Sequence, residues 1–152
     1  MFGLILDKLL GSDPPTRAGD DLQTAVAVLL VTAARMDDHF DQSERNAIRD
    51  LLAERFSLSR DAVAQLLDVA ASRSEKSTQI FPYTRTLVER TDAEERIALV
   101  EMLWEVAYAD GLLDPDEDAL VRRVAGLIYV SDFDRGAARQ RVRERLRLDP
   151  LK

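Results

Sequence analysis

The stretch Asp20-Asp-Leu-Gln-Thr-Ala-Val-Ala-Val-Leu-Leu-Val-Thr-Ala-Ala-Arg-Met36 decides the fold. It is apolar almost without a break, with Ala25-Val-Ala-Val-Leu-Leu-Val31 at its centre. Periodicity alone therefore does not separate helix from strand, and length arbitrates for helix. Asp20 and Asp21 supply the acidic first turn that a helix N-terminus favours, and a helix that is apolar all round belongs in the middle of a bundle. Working outward, residues 43–56, 60–74, 79–90, 93–109, 115–128 and 132–147 repeat Leu, Ile, Val and Ala at helical spacing, and no segment alternates with period two. The expected fold is all-α: a bundle of about seven helices joined by short connections, with the helices at 22–36 and 93–109 most buried.

A chain of 152 residues is about one domain and can bury a core without covalent staples. The absence of cysteine excludes disulfides, thiolate nucleophiles, zinc fingers and iron–sulfur clusters, and a single histidine excludes an all-histidine zinc site within one chain. A net charge of −7 suits cations or basic partners better than nucleic acid phosphates. Residues 132–152 carry seven basic and four acidic side chains against fourteen and twenty-four in residues 1–131, so the body is about −10 and the tail about +3.

Residues 1–10 read as a short amphipathic segment on Phe2, Ile5, Leu6, Leu9 and Leu10. Residues 11–19 read as a Pro/Gly linker, and residues 20–152 as one helical domain that includes a basic last helix. The first ten residues lack an early basic region and a small-residue cleavage site and are too short to span a bilayer, so a soluble, cytoplasmic protein is expected. The apolar face of that segment is expected to pack on the body or on a partner, including a second copy of the chain, with a membrane-surface anchor as the alternative.

Residues 25–59 match residues 98–131 at an offset of 73, drifting by one near the end. Asp37, Asp41 and Glu44 then lie over Asp110, Asp114 and Glu117, both in the pattern Asp-x-x-x-Asp-x-x-Glu, and Ile48 and Leu51 lie over Val121 and Val124. Two helix-loop-helix units with the same acidic linker suggest a pseudo-twofold bundle. Asp41 with Glu44, and Asp114-Pro115 with Glu117, have a sufficient structural use as N-caps with a Glu at the third helical position. Asp37 and Asp110 stand where a helix C-terminus disfavours negative charge; they either make the turn, with Gly111 in the left-handed region, or hold a cation. The donors are all oxygen apart from His39, which fits Ca²⁺ or Mg²⁺, and the spacing is not that of an EF-hand. His39 has only Leu112 opposite it and reads as a loop histidine.

At these residues, Ala25–Ala34 into Asp37-Asp-His-Phe-Asp41-Gln-Ser-Glu44 and Glu94–Trp104 into Asp110-Gly-Leu-Leu-Asp114-Pro-Asp-Glu117, the chain resembles the tellurite-resistance protein B (TerB-like) family over about residues 20–131. The resemblance implies an all-helical bundle with acidic clusters suspected of holding divalent metal at Asp37, Asp41, Glu44, Asp110, Asp114 and Glu117. It further implies links to tellurite or stress resistance and to J-domain co-chaperones, and no established catalysis. Asp38 stands where the motif has glycine.

The arginines at 135, 139, 141, 143, 145 and 147 read as a basic helix laid on the acidic body, with no aromatic-interleaved run or Gly-rich motif for nucleic acid. Trp104 and Tyr108 read as core. No P-loop, Gly-x-Ser-x-Gly or His-Glu-x-x-His is present, so no enzyme is expected. Two functions remain: a non-enzymatic divalent-cation module of the stress type, and a helical adaptor docking a partner through its acidic surface without metal.

Overall fold

The computed structural model describes residues 18–37, 40–76, 79–109, 111 and 113–148. Seven α-helices and one short 3-10 turn lie among them, with no strand. They are α1 (Ala18–Ala34), the 3-10 turn Arg35–Asp37, α2 (Gln42–Phe56), α3 (Arg60–Lys76), α4 (Phe81–Arg90), α5 (Ala93–Ala107), α6 (Pro115–Leu127) and α7 (Asp132–Arg145). The all-α expectation holds. Helix α1 begins at Ala18, inside the stretch expected to be linker; the expected segment 1–10 lies outside the described residues.

The apolar stretch is the centre of the bundle. Each of Ala25 to Val31 is at most 5% exposed, and α1 touches α2, α3, α4, α5 and α6. Covering every face removes an all-round apolar surface from water, and a fully buried Leu such as Leu29 or Leu30 contributes about 1.5–3 kcal/mol. Helix α5 is the second centre, buried along Leu99, Val100, Leu103, Trp104 and Val106 and packed on α1, α2, α6 and α7. One polar side chain inside the core is Thr32, whose hydroxyl bonds the Val28 carbonyl at 2.7 Å and lies 3.3 Å from Ser74 Oγ on α3.

Two corners are built alike. Between α2 and α3, Ser57 is left-handed (φ 53°), the Leu58 N–H donates to the Ala53 carbonyl, and Ser59 Oγ caps the next helix by accepting from Ala62 N–H. Between α6 and α7, Tyr129 is left-handed (φ 65°), the Val130 N–H donates to the Ala125 carbonyl, and Ser131 Oγ accepts from Asp134 N–H. These bonds tie up carbonyls and N–H groups that a helix end otherwise leaves without partners.

Candidate functional site

The first acidic loop leaves α1 through the 3-10 turn and enters α2 at Asp41. Asp41 Oδ1 accepts from Glu44 N–H at 2.9 Å, and Glu44 Oε1 accepts from Asp41 N–H at 3.2 Å, a complete capping box. Glu44 nevertheless sits only 2% exposed. Two guanidinium groups lie over the Phe40 ring, Arg45 at 4.5 Å and Arg35 at 5.5 Å from its centroid. Positive charge therefore already stands beside this loop. The Asp37 side chain, Asp38 and His39 lie outside the described residues.

The second loop follows Tyr108. Gly111 adopts φ 88° and its N–H bonds the Tyr108 carbonyl at 2.8 Å, the left-handed turn expected of it. Asp114 caps α6, but with a difference from the expected box. Its Oδ1 accepts from Asp116 N–H at 2.7 Å, at the second helical position, and Pro115 stands at the first, where its missing N–H costs nothing. Glu117 turns inward instead and is 1% exposed. Phe40 and Leu113, at matching positions of the two loops, both pack on the core; Phe40 also stands under two arginines, and Asp116, Glu117 and Asp118 follow Leu113 on the first turn of α6. Asp110 lies outside the described residues. Asp41, Glu44, Asp114 and Glu117 are thus each placed at a helix start, and no group of three metal-competent side chains converges among the described residues.

The family model for tellurite resistance protein TerB matches residues 23–140, from the first turns of α1 into the middle of α7. The chain belongs to the TerB family. No curated protein and no solved structure matches it significantly. The TerB match covers both acidic loops and both buried glutamates, Glu44 and Glu117.

Beyond the loops, the basic helix α7 lies on α5. Arg141 Nε donates to Glu101 at 2.7 Å; Arg145 reaches Glu101 at 3.2 Å and Glu105 through two nitrogens, one at 3.0 Å. Arg139 Nε donates to the Tyr108 hydroxyl at 2.7 Å and stacks 5.2 Å from the Trp104 ring, while Arg143 lies over Tyr108. Trp104 Nε1–H is satisfied by the Arg135 carbonyl at 3.2 Å. Burial pulls the Arg145 guanidinium down, but the hydrogen bonds and charges of Glu105 and then Glu101 outweigh it and raise its pKa. The acidic partners went unread in the sequence, although Glu101 and Glu105 share the four-residue spacing of Arg141 and Arg145. The capping box of Asp92 and Glu95 at α5 was missed as well, with its signal, Asp-x-x-Glu before an apolar run, in plain view. No helix among the described residues is long and apolar enough to cross a membrane.

Proposed function

We propose that this TerB chain is a non-enzymatic, cytoplasmic module that takes up a divalent cation, Ca²⁺ or Mg²⁺, at its acidic loops in tellurite or stress resistance. The observation that supports it is the pair of glutamates, Glu44 and Glu117, each carried almost wholly out of water directly behind an acidic loop. Both loops repeat the Asp-x-x-x-Asp-x-x-Glu spacing, and their all-oxygen donors suit a hard cation. Asp37, Asp41 and Glu44 would serve the first loop and Asp110, Asp114 and Glu117 the second.

Calorimetric titration with Ca²⁺, Mg²⁺, Mn²⁺ and Zn²⁺ tests the reading. Binding to the folded state alone should add about 2.7 kcal/mol of stability at a hundredfold excess over Kd. The double variant Asp37→Asn with Asp110→Asn should remove that gain. No heat at millimolar metal, or equal binding by the double variant, would reject the cation and leave the adaptor reading.

A second reading, a helical adaptor of the co-chaperone type working without metal, is favoured by a different feature: large aromatic side chains exposed at the α6–α7 corner.

A further inference from the structure

The two like-built corners provide an internal control. The left-handed position is Ser57 in one and Tyr129 in the other, and two residues past the capping serine stand Asp61 and Phe133. Tyr129 is 78% exposed and Phe133 82% exposed. The two positions are therefore polar in one half of the molecule and aromatic, facing solvent, in the other. A left-handed conformation is strained for a residue with a Cβ, so tyrosine there is a poor choice for the turn itself. Neither folding nor packing accounts for the pair.

We propose that Tyr129 and Phe133 form a docking point for a short peptide segment of another protein, carrying an apolar residue beside Lys or Arg. Charge selects this occupant. Phe133 sits between Asp132 and Asp134 on the acidic first turn of α7; Asp132 holds Arg135, whereas Asp134 makes no ion pair among the described residues. The arginines farther along α7 are drawn onto α5 by Glu101, Glu105 and Tyr108 and leave that end acidic. Exposed aromatic faces attract cations as well, so rings and carboxylates favour the same ligand. Area argues against a second copy: two aromatic side chains offer on the order of 300–400 Å², short of the roughly 800 Å² per partner of a stable interface. The inference stands apart from the cation reading, because the corner includes none of the loop carboxylates.

The probe is a panel of fluorescein-labelled seven-residue peptides with one Leu, Phe or Met flanked by Lys or Arg, and the same panel with Glu in place of the basic residues. A basic peptide should bind by fluorescence anisotropy and its Glu counterpart should not. The variant Tyr129→Ser with Phe133→Asp, which copies the first corner, should bind about tenfold more weakly or worse with its thermal midpoint kept. Should that variant unfold, Asp134→Asn and amide-shift mapping on the natural chain decide instead: shifts must centre on 128–134 and the Asn variant must bind more weakly. The proposal fails if no basic peptide binds at millimolar concentration, if shifts centre elsewhere, or if binding is equal in the variant. It fails too if sedimentation shows a dimer that the aromatic substitutions dissolve, since the occupant would then be a second copy.

Discussion

Helix α3 lies on α1 and α7 lies on α5 after corners of the same geometry, yet different chemistry holds the two pairs. In the first, Val63, Leu67 and Ala70 are buried against the central helix, with Thr32 and Ser74 in contact across the seam. In the second, α7 buries only Ala138 and Val142, and arginines reach over the seam to Glu101, Glu105, Trp104 and Tyr108. One arrangement can thus be maintained by hydrophobic burial or by charge and aromatic stacking, and the two answer differently to salt and to substitution.

The sharpest break in that comparison should come from Leu67→Ala. Removing a core side chain from the α1–α3 seam is expected to destabilise by about 2–5 kcal/mol, with the urea midpoint falling equally at low and high salt. A loss below 1 kcal/mol would mean that the first pair is not held by burial. Next comes Arg139→Ala in the second pair. It strips the buried Tyr108 hydroxyl of a charged donor and the Trp104 ring of its cation, for an expected loss of about 1–3 kcal/mol. Tyr108→Phe, which removes the hydroxyl along with its bond, should lose less.

Smaller again is Arg145→Ala. Its pairs with Glu101 and Glu105 are half in water, so each is worth about 0.2–1 kcal/mol, and the difference should vanish in 1 M salt, where screening acts over roughly 3 Å. Because the folded state raises this guanidinium, its contribution is complete below the ordinary arginine value and is lost only above it, so titration of Arg145 should leave the effect of the substitution unchanged from about pH 6 to 9. The smallest effect should be Ser57→Gly and Tyr129→Gly, each gaining up to about 1 kcal/mol by relieving a left-handed residue, offset in part by the entropy of glycine. Gains that differ widely between the two sites would show that the corners are less alike than their hydrogen bonds.

The helices were legible because their ends are written locally. Asp41 and Asp114 were read as caps of the helices that follow, and the observed boundaries of α2 to α7 fall within about two residues of those read from spacing, whereas α1 starts earlier, at Ala18. The centrality of α1 and α5 was legible from apolar run length, and the cores of Trp104 and Tyr108 from their place on α5. Glu117 was not: a glutamate three residues after an N-cap reads as the far half of a capping box, and only the packing of α6 decides that it points inward. Tyr129 misleads in the opposite sense, since Leu127-Ile-Tyr-Val130 looks uniformly apolar while a left-handed turn carries its third member into solvent. The candidate cation site was legible as a pattern of carboxylates, but ligation depends on where Asp37 and Asp110 point, which spacing does not determine.

The position of α1 at the middle of the bundle sets a timing problem during synthesis. The helix that needs the most cover leaves the ribosome ahead of the other described helices, and α6, one of those that cover it, ends at Leu127. At about 5–20 residues per second, Ala25–Val31 is without its full set of neighbours for on the order of 5–20 s. Such a stretch is a natural client for a chaperone that holds nascent chains, and stalled ribosome complexes should keep α1 open to protease until α6 has emerged. Protection as soon as α3 is complete would show instead that the first half can mature alone.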